Sequence, residues 1–315
     1  MNAARRVGDF GGALTARLGR RHAAGPEPAD ALARAADVRS AADGAADVLV
    51  RYVGHPRPGD AAADAARDRL VAVIEGAAAT GLAAGGGLDV AVPAACLGEG
   101  DAAAGRVRAV ATAAAAAGCA VLLSPTDGRD APAVAGLVRR LAGEYPSVGL
   151  EVWAGLRTAG GDLREVLDRG YAAVAGDDPL PRVLLRAGGG ARGVPPSLAL
   201  PGPSDADRAF LRYAKRVLRA PLRVSLVPGD ATLLGITEAV ADGARSVAGS
   251  AAAGGSDSPG AVAWWEVVVE LGVRVDQGRR LTVSGRRVRV EVPFGPRWRA
   301  VGLRRTVTAG KGRGR

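Results

Sequence analysis

The sequence predicts an α/β protein whose eight strands close into a (β/α)8 barrel of TIM type, and three observations predict it. Short β-branched or apolar runs, each about the length of a buried parallel strand, recur eight times along the chain. Amphipathic or alanine-rich stretches of helical length separate them, which is the alternation that builds a parallel sheet. The turn after the first run, GHPRPGD at 54–60, lacks the Gly-x-Gly-x-x-Gly spacing that brings a dinucleotide to a helix start, so an open doubly wound sheet ranks second.

Residues 1–40 read as an N-terminal helical arm, with ADALARAADVRSAADGAAD leading into the first strand. The predicted strands are Val48–Val53, Leu88–Val92, Ala120–Leu123, Val148–Trp153, Val183–Arg186, Leu222–Val227, Glu266–Leu271 and Val288–Val292. Helical stretches between them include DAAADAARDRLVAVIEGAAA at 60–79, APAVAGLVRRLAGEY at 131–145 and DADRAFLRYAKRVLRA at 205–220. In the last, Phe210, Ala214, Val217 and Leu218 share one face at i, i+4, i+7 and i+8, with Arg and Lys opposite, as in a helix packed on a core. The glycine-rich AAGGG at 83–87 and RAGGGARG at 186–193 read as connections, since the first precedes a strand and the second lacks a phosphate-loop Lys-Ser/Thr. Gly188–Pro203 and GSAAAGGSDSPG at 249–260 are the longest irregular segments, each a lid over the barrel mouth or a low-complexity insertion. The barrel is expected over 41–308, followed by a solvated basic tail at 309–315.

Composition narrows the function classes. At 315 residues, 48% hydrophobic and 23% charged, the chain is globular and long enough for one barrel, which typically takes about 250 residues. The formal charge of +10 comes almost wholly from arginine, Lys215 and Lys311 being the two lysines. These arginines are scattered over several helices without interleaved aromatics, so no nucleic-acid partner is expected. No apolar run reaches the ~18–20 residues of a spanning helix, and MNAARRVGDFGG has no secretory h-region, so a cytoplasmic protein is expected. Cys96 and Cys119 fit no metal spacing and read as small buried hydrophobes, and His22 and His55 are too far apart for a local ligand pair.

Chemistry concentrates in VRVEVPFGPRWRAVGLRR at 288–305, a strand, a Pro-Phe-Gly turn and a helix ending in Arg304 and Arg305. Two planar guanidinium forks beside a strand end suit a small carboxylate. The bland alternative is an exposed basic helix end that favours its own dipole.

Together with LVRYVG at 49–54, GLDVAVPAACLG at 87–98, GLVRRLAGEYPSVGLEVWAGLR at 136–157 and WEVVVELGVR at 265–274, that segment resembles, in collinear order over about residues 40–308, the proline dehydrogenase family, especially its single-domain bacterial form. The resemblance implies FAD over the carboxyl-end mouth of the barrel, hydride transfer from L-proline to give pyrroline-5-carboxylate, and electrons passed to a quinone through peripheral contact with a membrane. It assigns the substrate carboxylate to Arg304 and Arg305, and places Arg186, Arg182 and Asp230 at flavin-contacting positions.

Other family positions are altered. The second-strand lysine is Ala91, and the acidic third-strand motif is Ser124-Pro125-Thr126 with Asp127 nearby. Gln-Ala-Tyr of the fourth strand is Trp153-Ala154-Gly155, and Lys-Gly-Ala-Tyr of the fifth is Arg186-Ala187-Gly188-Gly189. Thr-His-Asp of the sixth is Pro228-Gly229-Asp230, while Glu291 and Val301 stand where tyrosines are expected. Strand ends Pro93, Trp153, Gly189 and Gly229 predict a rim with few titratable groups. Two functions follow: a divergent flavoenzyme oxidising L-proline or a related amino or imino acid, or an inactive paralogue that binds a small carboxylate or a protein partner.

Overall fold

A computed structural model describes residues 21–56, 58–176, 179–188, 194–253, 264–273 and 275–311. Eight parallel strands close in sequence order, β1 (Ala46–Tyr52), β2 (Leu88–Pro93), β3 (Val121–Ser124), β4 (Val148–Trp153), β5 (Arg182–Arg186), β6 (Arg223–Val227), β7 (Trp264–Glu270) and β8 (Val288–Phe294). Closure is made by β1 against β8, in register from Ala46 opposite Val288 to Tyr52 opposite Phe294. All eight expected strands are present, with β1 and β7 each starting two residues earlier than their apolar runs because a charged or aromatic residue, Asp47 or Trp264, belongs to the ladder.

The helices α1 (Pro28–Ala41), α2 (Asp60–Ala79), α3 (Gly100–Ala117), α4 (Ala131–Ala142), α5 (Ala159–Gly176), α6 (Pro203–Val217), α7 (Ala231–Ala253), α8 (Val275–Val283) and α9 (Trp298–Lys311) surround the barrel. On α2 the alanine-rich sequence buries Ala66, Leu70, Val73, Ile74 and Ala77, a helical stripe pressed on the strands. The expected arm is realised as α1, which packs against β1, β8 and α2, while residues 1–20 lie outside the described residues. The segment before α1 follows the end of β8 through Ala24 N–H to Pro293 O at 2.8 Å and Gly295 N–H to Gly25 O at 2.9 Å.

Three further segments complete the described chain. Residues 249–253 continue α7 and do not belong to an irregular insertion; 254–263 lie outside the described residues. The piece after Val194 is pinned over the β4–α5 connection, with Arg157 N–H bonded to Leu198 O at 2.9 Å and Leu200 N–H to Gly155 O at 2.8 Å. Helix α9 runs through 309–311 of the expected tail, and 312–315 lie outside the described residues.

Inside the barrel, inward-facing residues stack in layers, as strand alternation requires. Leu49, Ala91, Leu122, Leu184, Val227 and Val268 form an apolar middle layer. Charged layers lie above and below it. Gly149 takes an inward position of β4 at which a Cβ would sit 2.7 Å from the Arg182 carbonyl oxygen, so glycine there makes room for a large neighbour.

Candidate active site at the barrel mouth

The upper layer is a closed ring of alternating charge. Arg51 of β1 donates from Nε to Glu291 Oε2 at 2.8 Å and from Nη2 to Glu151 Oε2 at 2.6 Å. Across the barrel, Arg186 of β5 donates from Nε to Glu151 Oε1 at 2.7 Å and from Nη2 to Glu291 Oε2 at 2.5 Å. Trp153 Nε1 adds a bond to Glu151 Oε1 at 3.0 Å, and Arg51 Nη1 reaches Ser124 Oγ at 3.4 Å. The Glu151 and Glu291 side chains are only 1% and 2% exposed, so their charges depend on this ring.

Burial works to raise both carboxyls, but guanidinium groups outweigh it: Arg51 and Arg186 hold Glu151 low, and Arg186, Arg51 and Arg305 hold Glu291 well below the carboxylate range. Burial likewise disfavours charge on Arg51 and Arg186, and the same glutamates overcome it and fix both as cations.

Above the ring lies a looser pair. Helix α9 turns Arg305 inward, where Nη2 bonds Glu291 Oε1 and Nη1 reaches Glu291 O at 3.3 Å and His22 O at 3.4 Å. Its contact with Glu270 Oε1 is long, at 3.4 Å, and so is that of Arg186 Nη1 with the same oxygen, at 3.6 Å. Glu270 remains 32% exposed. Arg304 is turned about 100° round the helix and is exposed, with Nε bonded to Ala300 O at 3.3 Å. A cavity of 370 Å³ opens here, bounded by Ser124, Glu270, Glu291, Val301, Arg304 and Arg305 among others.

The structure therefore brings Arg186, Arg304 and Arg305 to one mouth and separates the other two expected residues from them. Arg182, four residues before Arg186 on β5, is in the layer below the apolar one and pairs with buried Asp89. Asp230 bonds through Oδ1 with Leu233 N–H at 2.8 Å, capping α7. The expectation of a rim poor in titratable groups is overturned: Arg186 and Glu270 end β5 and β7, and Arg51, Glu151 and Glu291 lie just below the ends of β1, β4 and β8. Of these, Arg51, Glu151 and Glu270 are not singled out by the sequence reading, and the available signal is a charged residue inside an apolar strand run, spaced by four from a second one in β1 and β7, as with Asp47 and Arg51 or Glu266 and Glu270.

These residues do not fit flavin in the roles expected of them. A flavin accepting hydride gains negative charge and needs donors free to meet it. All three nitrogens of Arg186 face glutamates, Arg182 is in another layer, and Asp230 offers a negative charge already used as a cap.

Cys96 and Cys119 are buried free thiols, both pushed up to about 11, chiefly by burial. His22 is buried with Nδ1 3.2 Å from Leu271 O, whereas His55 is exposed. No group of three or more metal-ligating side chains occurs among the described residues, and no helix there is long and apolar enough to cross a membrane.

No protein-family model matches the chain, and no curated protein matches it. Solved structures do. Proline utilization A (PutA) from Bdellovibrio bacteriovorus, inactivated by N-propargylglycine, is similar with a TM-score of 0.74 at 14% identity over 92% of this chain. Proline utilization A from Corynebacterium freiburgense is similar with a TM-score of 0.69 at 14% identity over 95% of this chain. The chain spans 32% of the length of each.

Proposed function

We propose that this proline dehydrogenase-like barrel binds a small zwitterionic amino or imino acid, such as proline, at its mouth and does not transfer hydride. The observation that carries the reading is the contrast between a tight ring and the loose Glu270–Arg305 contact above it, 3.4 Å long at the edge of a 370 Å³ cavity. A zwitterion can enter that contact without leaving any charge unmatched. Its carboxylate takes Arg305, helped by Arg304 at the rim, and its ammonium takes the Glu270 carboxylate so released. A simple carboxylate would gain Arg305 but leave Glu270 with only its 3.6 Å contact to Arg186, and a simple amine would take Glu270 and leave Arg305 with only Glu291. The reading calls on neither a quinone nor a membrane contact.

The second reading is a flavoenzyme that oxidises proline at this mouth, and the fold likeness to proline utilization A favours it. One set of titrations separates the two. L-proline is expected to bind more tightly than pyrrolidine or cyclopentanecarboxylate, and FAD added to the protein is expected to show neither quenching nor co-elution. Stoichiometric FAD uptake with bleaching by proline under anaerobic conditions would replace this reading with the flavoenzyme. Equal or no binding of the three small ligands would refute the zwitterion site.

A further inference from the structure

The lower layer of the barrel poses a different problem from the mouth. Its interior is matched: Asp89 pairs with Arg182 and, at 3.2 Å, with Arg289, whose Nε also donates to Glu266 at 2.7 Å. Asp89 further accepts Ala120 N–H at 2.8 Å, and Ser225 donates to Glu266 at 2.6 Å. Outside this core, three guanidinium groups crowd one indole: Arg182, Arg223 and Arg287 lie 5.5, 5.1 and 5.0 Å from the Trp264 ring centroid. Neither Arg223 nor Arg287 has a carboxylate within ion-pair distance among the described residues, and both side chains reach the surface. Partial burial, with Arg182 and Arg287 nearby, pushes Arg223 below the ordinary arginine value against the opposing pull of Asp89 and Glu266.

A cavity of 510 Å³ opens against this cluster. Arg182, Arg223 and Trp264 line it together with apolar groups including Ala120, Pro146 and Leu180. Ser147 also borders it, with a hydroxyl that is buried and has no partner among the described residues. The size falls within the ~300–1,000 Å³ of small-molecule sites. Arg182 was singled out in the sequence as a flavin contact, but its position ties it to this cavity and not to the mouth.

We infer that the amino end of the barrel holds a second binding site, separate from the mouth, for an organic oxyanion with an apolar body. The exposed Arg223 fork receives a phosphate or carboxylate group beside Arg182, whose Nη1 stays with Asp89, and the apolar Ala120, Pro146 and Leu180 receive the carbon skeleton. Trp264 holds the arginines in place through its ring faces, which leaves the anion, not an aromatic stack, as the recognised feature. The site requires no reaction and rests on none of the residues assigned to the mouth.

Phenyl phosphate is the probe, with benzoate as the carboxylate counterpart and inorganic phosphate and phenol as controls. Calorimetry on the full chain is expected to show one phenyl phosphate bound per chain, more tightly than inorganic phosphate and with no binding of phenol. Benzoate binding separates carboxylate from phosphate preference. Arg223→Gln is expected to weaken phenyl phosphate at least about tenfold while leaving L-proline binding unchanged. Arg223 reaches the surface and makes no ion pair among the described residues, so the variant is expected to fold, and an unchanged unfolding midpoint confirms that. Absence of phenyl phosphate binding to the intact chain, or equal affinity in Arg223→Gln, would overturn the site; equal affinity for inorganic phosphate would overturn the apolar half of it.

Discussion

The two ends of the barrel interior use the same side chains to different effect. At the carboxyl end, Arg51, Arg186, Glu151 and Glu291 close a ring in which each charge meets two of the opposite sign, and the loose Glu270–Arg305 contact sits above it. At the amino end, Asp89, Glu266, Arg182 and Arg289 are matched inside, while Arg223 and Arg287 gather around Trp264 with no ion pair among the described residues. The apolar layer through Leu49, Leu122 and Leu184 keeps the two apart. On the two proposals, what each charge network binds depends on its outermost members: a zwitterion at the balanced edge and an anion at the cationic edge.

The comparison breaks first at the ring. Glu291→Gln removes a carboxylate that serves Arg51, Arg186 and Arg305 and leaves buried cations short of a partner, so urea unfolding is expected to show a loss of about 3–5 kcal/mol. Asp89→Asn tests the lower layer in the same way. It keeps an acceptor for Ala120 N–H but strands part of the charge of Arg182 and Arg289, and about 3 kcal/mol is the expected loss.

Acid titration sharpens the ring further. The depressed carboxyls contribute stability that is full above the unfolded value near ~4.3 and is lost as pH falls toward the lower folded values. The urea midpoint is therefore expected to drop steeply below about pH 4 in the parent chain, and less steeply in Glu291→Gln. Equal slopes would count against the ring as a coupled unit. At the edge the effects shrink: Glu270→Gln is expected to change stability by less than about 1 kcal/mol, since its side chain is partly exposed and its contacts are long. Smallest of all, neither thiol is expected to react with a disulfide reagent at mild alkaline pH until the chain unfolds, because Cys96 and Cys119 are buried and pushed up to about 11.

The barrel was legible because burial on both faces gives its strands continuous β-branched and apolar runs, and because helices such as Asp60–Ala79 carry their own period and ends. The site was only half legible. Arg304 and Arg305 stood out as a pair, but adjacent helical residues diverge, and only Arg305 turns into the barrel. Glu151, Glu266 and Arg289 were hidden inside runs that read as apolar strands, although barrel alternation places every second such residue in the interior. Arg182 and Arg186 illustrate the remaining gap: four residues apart on one strand, they share a face yet serve opposite ends of the molecule, and separation along a strand translates into depth only once the barrel is closed.

The central claim is that a zwitterion replaces the Glu270–Arg305 contact at the mouth. Calorimetric titration of L-proline into the parent chain and into Glu270→Gln tests it most directly. Removal of the charged acceptor for the ligand ammonium is expected to weaken binding at least about tenfold with the unfolding midpoint nearly unchanged. Equal affinity in the two proteins would contradict the account.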